Sequence, residues 1–309
     1  MAKLWAMIKT ILKKTVPAHV LNIIWKFDII LKIPLFCNIA VTYCYFVFSR
    51  KKQQRLSWQE LDRLQKRYYT PFNGIDVEYR KTTARNQIKR LLSLLPEGKK
   101  PDSLLETGAG HGFLSIIANR EFNINSTATD LNFKENPELE KAQIPFEVMN
   151  VSKMSFDDST FDCVVSFNAF EHFEQPETAI KEMIRITKSG GFVYLYFGPV
   201  YYAALGLHLY KSIHVPYSQY LFDYDMLMEY IEKNKITKYM PASFNYWKLE
   251  QYEQLWRSCL SQVDITYKRV TKDYRYLELV RAYPGLFKSK TNKFSDLTST
   301  SIEILFKKK

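Results

Sequence analysis

Residues 104–118 read "LLETGAGHGFLSIIA", and this stretch decides the fold. An apolar run stops at Glu106, and Gly108, Gly110 and Gly112 follow at every second position. Phe113, Leu114, Ile117 and Ala118 then share one face of a helix predicted over 111–121. Glycine tolerates positive φ and lacks the Cβ that would block a ligand. Backbone amides at the start of a helix can face an anionic or polar group. Strand, glycine turn and helix in that order predict a ligand site at a strand end.

The flanking sequence alternates in the same way. "DSLLE" (102–106), "STATD" (126–130), "PFEVMN" (145–150), "FDCVVSFN" (161–168) and "FVYLYFG" (192–198) read as strands. "PETAIKEMIRITKSGG" (176–191) reads as a helix with Pro176 near its first position and Gly190-Gly191 as its C-cap. Short apolar strands alternating with helices predict a parallel sheet covered on both faces, with ligands bound beyond the carboxyl ends of the strands. Asp130 closes the second strand about twenty residues after the glycines, where a ribose diol needs an acceptor. A cofactor containing a nucleoside follows from that combination. Further on, "WKLEQYEQLWRSCL" (247–260) predicts a helix, "VDITYKRV" (263–270) a strand, "YRYLELVRAY" (274–283) a helix stopped by Pro284-Gly285, and "TSIEILFKK" (300–308) a last strand.

The spacing Glu106-x-Gly108-x-Gly110-x-Gly112 differs from the GxGxxG of dinucleotide sites and resembles motif I of the class I S-adenosylmethionine (SAM) methyltransferases. "MSFDDSTFDCVVSFNAFEHFEQPETAIKEMIRITKSGGFVYL" (154–195) is similar to the small-molecule methyltransferase domain of type 11: acidic loop, F-D-x-V strand, E-H, a helix and a Gly-Gly pair, then a strand. The resemblance implies a doubly wound, Rossmann-like α/β sheet of seven strands with one antiparallel strand in its closing pair, and SAM as the cofactor. It implies that Gly108, Gly110 and Gly112 lie against the methionine part of SAM, that Glu106 orients its amino end and that Asp130 holds the ribose hydroxyls. Leu131 would pack on adenine. Asn150, where the family often has Asp, would accept from the adenine amino group, and Asn168 would face the sulfonium. His111 is expected near the cofactor as a loop residue, and His172 as a residue orienting the loop after the fourth strand.

The segment "GPVYYAALGLHLYKSIHVPYSQYLFDYDMLMEYI" (198–231) resembles the acceptor-side segment of methyltransferases of bacterial surface-polysaccharide biosynthesis, with Tyr217 and Gln219 in place of a Trp and a His. His208 and His214 are the candidate general bases, since an alcohol acceptor gains from a base titrating near neutrality. A carbon or carboxylate acceptor needs none.

Charge is concentrated at one end: residues 1–55 hold ten lysines and arginines against the single acid Asp28, a net +9 of the chain's +12. Trp5, Ile8, Ile11, Leu12, Ile23, Ile24, Trp25 and Phe27 are interleaved with these lysines. That pattern predicts an arm lying at an anionic membrane surface; the alternative is a set of helices packed on the catalytic domain. The arm's longest apolar run, 33–48, is sixteen residues, shorter than a span of about 20 needs. Lysines interleaved with apolar residues suit a bilayer better than nucleic acid. The four cysteines form no CxxC pair, which predicts a reduced compartment and no structural zinc or other metal.

The expected organisation is a basic helical arm (1–55), a helical lead-in (56–100) and a SAM-dependent methyltransferase domain (101–309) with an acceptor-site lid at 199–250. The lead-in carries a capping-box signature at Ser57 and Glu60 and a helix near 76–95. The expected activity is O-methylation of a glycan or lipid-linked small molecule by a cytoplasmic protein peripheral to the inner face of a membrane. Alternatives are quinone or lipid methylation, nucleic-acid methylation and a non-catalytic SAM-binding scaffold.

Overall fold

The computed structural model describes residues 29–70, 76–237 and 243–309, with side chains from residue 34 onward. The arm residues expected at a bilayer, Trp5 to Phe27, lie outside the described residues. Contacts divide the chain into two compact units. One holds the described residues up to Gln53 with Tyr276–Asn292, and the other holds Gln54–Arg275 with Lys293–Lys309.

The larger unit is built on one sheet of seven strands: β1 (Ser103–Thr107), β2 (Asn125–Asp130), β3 (Phe146–Val148), β4 (Phe161–Phe167), β5 (Thr187–Phe197), β6 (Val263–Lys272) and β7 (Ser299–Lys308). The spatial order is β3-β2-β1-β4-β5-β7-β6. The first five strands pair in parallel, and β7 runs antiparallel to both β5 and β6. The chain therefore has the doubly wound, Rossmann-like sheet expected of it. Alternation sorts the strand residues to opposite faces. Leu104, Cys163, Val165, Tyr194 and Leu305 meet Ile88, Leu91 and Ile117 on one side. Leu105, Val164, Val193, Ile304 and Phe306 meet Ile180, Met183, Leu255 and Trp256 on the other.

Two boundaries differ from the sequence reading. The helix Pro176–Ile186 ends earlier than Gly190-Gly191, and β5 already begins at Thr187. Thr187 donates its hydroxyl to Met183 O (2.7 Å) and pairs with Phe161, and the register slips before Cys163 meets Phe192. Gly190 (φ +76°) and Gly191 thus form an irregularity inside the strand; a Cβ on Gly191 would stand 2.7 Å from Asp162 O. Likewise Pro284 does not simply stop a helix. It follows Leu277–Ala282 and opens a second helix, Pro284–Lys290, where its missing N–H costs nothing.

That helical pair is the connection between β6 and β7, and it belongs to the smaller unit. There it packs on the helix Ile29–Phe48: Arg281 bonds Asn38 and Thr42, Lys288 stands 4.8 Å from the Phe46 ring, and Lys52 N donates to Gly285 O. Thr42 and Phe46 are buried, whereas Leu35, Phe36, Val41, Tyr43, Tyr45 and Phe48 are exposed. Among the described residues no helix is long and apolar enough to cross a membrane.

In the larger unit the lead-in forms two capped helices. Ser57 accepts from Glu60 N ahead of Trp58–Arg67, and Asp76 accepts from Tyr79 N ahead of Val77–Leu94. Arg90 of the second helix reaches β7, where its Nε lies 2.7 Å from Glu303 Oε1; Tyr194 OH donates to the same oxygen at 2.6 Å. This buried carboxylate fastens the helix to the sheet.

Candidate functional site

The glycine turn sits at the carboxyl end of β1, between β2 and β4. Gly108, Gly110 and Gly112 all have positive φ, from +58° to +69°. Their reasons differ. A Cβ on Gly108 would stand 2.5 Å from Ala169 Cβ, and one on Gly112 would strike Leu139 Cδ1. Those two glycines let the loop after β4 and the short helix Pro137–Lys141 before β3 close on the turn. At Gly110 the space is open, with Lys134 Nζ the nearest group at 4.0 Å. The open face that the spacing predicted for all three belongs to the middle glycine.

A cleft of about 380 Å³ opens there, lined by Glu106, Gly108, Gly110, His111, Phe167 and Asn168 at the strand ends. Its far wall is the helix Val77–Leu94, through Tyr79, Arg80, Thr83 and Gln87, with Lys134 beside them. Glu106 is buried, and burial raises its carboxyl to about 7, against the opposing pull of its Ser115 bonds. Both bonds, from the Ser115 amide (3.1 Å) and hydroxyl (2.8 Å), fall on Oε2, which leaves Oε1 for a ligand. Burial, then the charges of Arg80 and Lys134, hold His111 below its ordinary value. Asp130 grips the turn: its Oδ2 accepts from Gly110 N at 2.8 Å. Leu131, 61% exposed, and Asn150, whose side chain accepts from Ser152 N, stand at the neighbouring ends of β2 and β3. Asn168 adopts φ +51° and donates its amide to Tyr196 O.

A buried carboxyl, the open Cβ side of Gly110 and two cations around one cleft fit SAM, whose methionine end carries an ammonium and a carboxylate. Sequence reasoning missed the wall from Val77–Leu94. The signal was present, because Tyr79, Thr83 and Gln87 recur at helical spacing.

The acceptor-side candidates stand elsewhere. None of the residues lining this cleft comes from 199–250. Instead His208 meets His172 with ring centroids 4.9 Å apart, and Phe244 packs against both at 5.1 Å. His208 Nε2 lies 2.7 Å from Pro199 O, and burial drives its value down to about 4. His172 Nδ1 lies 2.6 Å from Ser243 O, which ties the E-H loop to the chain beyond it. His214 lies beside Tyr69 and Gln65: its amide donates to Gln65 Oε1, and its Nδ1 is buried without a partner.

Residues 105–195 match the family described as "Methyltransferase domain". Norajmaline N-methyltransferase of Rauvolfia serpentina is 26% identical over 157 residues, 46% of this chain and 54% of that protein. Ajmaline N-methyltransferase of the same plant is 28% identical over 104 residues, 30% of this chain and 34% of that protein. The chain thus spans about half the length of the first relative and a third of the second. Among solved structures, phosphoethanolamine N-methyltransferase 2 of Haemonchus contortus aligns with a TM-score of 0.46 at 17% identity, covering 87% of this chain and 73% of that one.

Proposed function

We propose that this chain, whose residues 105–195 form a class I SAM-dependent methyltransferase domain, transfers the methyl group of SAM to a small-molecule acceptor. One observation carries the reading. The buried Glu106 carboxyl, the open Gly110 face and the cations Arg80 and Lys134 converge on a single cleft at the strand ends. In this reading Glu106 holds the SAM ammonium, Arg80 and Lys134 supply charge for its carboxylate, Gly108 and Gly110 lie along its methionine chain, and Gly112, which does not line the cleft, shapes the turn behind them. Asp130 takes the ribose hydroxyls, Leu131 and Asn150 the adenine, and Asn168 the sulfonium side. Methyl transfer is an in-line displacement at an already activated carbon, so alignment removes much of the barrier.

The acceptor is a hydroxyl on a glycan or lipid-linked molecule at a membrane surface. Two features support that surface: the +9 charge of residues 1–55, and the row of exposed apolar side chains on Ile29–Phe48. Amine methylation is the second reading, favoured by the N-methyltransferase names of the matched relatives. His208 and His214, the candidate bases, lie outside the residues lining the cleft, so either acts as a base only on an acceptor that extends from the cleft to it, and His208 only while no metal ion occupies its free nitrogen. Burial keeps His208 neutral, as a base must be, but also makes it a weak one.

Calorimetric titration with SAM and S-adenosylhomocysteine tests the core of the reading; no binding of either overturns it. Labelled methyl from SAM recovered in an ether or ester of a lipid or glycan extract supports the hydroxyl acceptor, and recovery only in amines overturns it. Turnover unchanged in both His208→Ala and His214→Ala removes the base role. Flotation of the full chain with anionic but not neutral vesicles supports the surface; flotation with neither overturns it.

A further inference from the structure

We propose that Glu171, His172 and His208 bind one divalent transition-metal ion, Zn²⁺ or its Co²⁺ surrogate, through two imidazole nitrogens and a carboxylate. One donor atom from each of the three side chains lies within 4.8 Å of the other two. Backbone carbonyls accept and never donate, so the contact of His172 Nδ1 with Ser243 O puts the ring proton on Nδ1 and leaves Nε2 bare. The contact of His208 Nε2 with Pro199 O likewise leaves Nδ1 bare. Metal-binding histidines are held in this way, with the second nitrogen anchored to an acceptor.

The carboxylate completes the set. Glu171 is 2% exposed; its Oε1 accepts from Gly198 N at 3.1 Å, and its Oε2 is buried with no partner. His172 Nε2 faces Oε1 at 3.8 Å. Lone pairs therefore converge from three side chains whose one donor is the Gly198 amide on Oε1, an arrangement that a cation resolves. Bonds of about 2.1 Å would need only modest rotations of the three side chains from these spacings.

The surrounding shell is built to hold the donors. Ser243 Oγ donates to His172 O, Asn245 N to Glu171 O and Asn245 Nδ2 to Phe170 O, while Tyr252 OH donates to Asn245 Oδ1. His208 itself sits at φ +57°, a strained conformation for a residue with a Cβ. Two imidazoles with one carboxylate suit zinc or iron(II) and leave coordination positions open.

The cluster follows Asn168, which lines the cleft, and its loop packs on the glycine turn through Ala169 and Phe173. Its role in chemistry rests on the methyl-transfer reading above. An ion held by Glu171, His172 and His208 would supply Lewis-acid activation of an acceptor hydroxyl, whose proton would leave to solvent as its oxygen lone pair forms the new C–O bond. The S–C bond breaks with its electrons returning to sulfur, giving S-adenosylhomocysteine, and the ion keeps its oxidation state.

The test is calorimetry and cobalt absorption spectroscopy on the full chain after removal of metal with a chelator. One Zn²⁺ or Co²⁺ per chain is expected, with d–d bands of imidazole-ligated cobalt. Glu171→Gln and His208→Ala should each weaken binding at least about tenfold, with circular dichroism confirming the fold. Cys37→Ser with Cys44→Ser, which removes the exposed thiols, should leave binding intact. No ion bound by the parent chain, or binding lost with those cysteines and kept in Glu171→Gln, overturns the proposal. SAM titrated in parallel separates the two readings: SAM binding without an ion sinks the metal site alone, and an ion without SAM binding sinks the methyl-transfer reading alone.

Discussion

The glycine turn and the aromatic segment after β5 both stand at strand ends, yet they are assembled differently. Around the turn the partners are near in sequence: Glu106 with Ser115, Asp130 with Gly110, Asn136 with His111. Across the aromatic side the partners are distant: His172 meets Ser243, 71 residues away, and Tyr217 OH reaches Leu297 O, 80 residues away. The first site is a local device set on a strand. The second depends on the whole larger unit having folded, because no short segment contains its parts. Substitutions on the two sides should therefore fail in different ways.

The largest effect is expected on the aromatic side. Phe170 is fully buried, with its ring 5.1 Å from Phe197 and 5.7 Å from Trp256. Phe170→Ala should cost roughly 3–5 kcal/mol of stability in urea denaturation. A cost below 1 kcal/mol would show that this side tolerates voids and is less tightly built than its contacts imply. On the cofactor side, Gly112→Val combines a positive φ with the collision at Leu139, and should cost roughly 3 kcal/mol in the same measurement.

Glu106→Gln should be milder for the fold and specific for the ligand, weakening SAM by roughly 10- to 100-fold as a charged hydrogen bond is lost. The carboxyl also sets a pH dependence. Its value is raised from 4.5 to about 7 by burial, so the stability it confers on the free chain is fully present below pH 4.5 and is lost as pH rises through about 7. Binding an ammonium requires the carboxylate. SAM affinity should therefore climb with pH up to about 7 and level off above it, and Glu106→Gln should flatten the profile. A parent profile that is flat from pH 5.5 to 8 would remove Glu106 from ammonium binding.

The smallest effect separates wall from cradle. Arg90→Met removes the tie between Val77–Leu94 and Glu303; Arg90 is 40% exposed, so the loss should be about 1–2 kcal/mol. SAM affinity should fall only a few-fold, because the wall loosens while the glycine turn stays intact. Loss as large as in Glu106→Gln would make the wall an equal partner in binding.

Sequence reading reached the sheet through short-range patterns. Alternation in "FDCVVSF", the cap at Ser57 and the glycine spacing each act within one or two turns of chain. It misplaced the start of β5, since Gly190-Gly191 has the composition of a helix cap while the pairing of Thr187 with Phe161 begins the strand. It read Pro284 as a stop only: the helix Leu277–Ala282 does end before it, and Pro284 also opens the next helix. It read His172 and His208 as separate residues, because nothing in their spacing reports that Pro199 and Ser243 aim both rings at one carboxylate.

By itself the sequence determined the alternation of strands and helices that makes a doubly wound sheet, and the glycine turn at the end of β1; the closing antiparallel pair was implied by the family resemblance. Local periodicity and backbone sterics are sufficient for the first two. Only the tertiary structure decided that Gly108 and Gly112 serve packing while Gly110 stays open, that the lead-in helix walls the cleft, and that Glu171, His172 and His208 converge. Those outcomes depend on distances between segments remote in sequence, which only the folded chain sets.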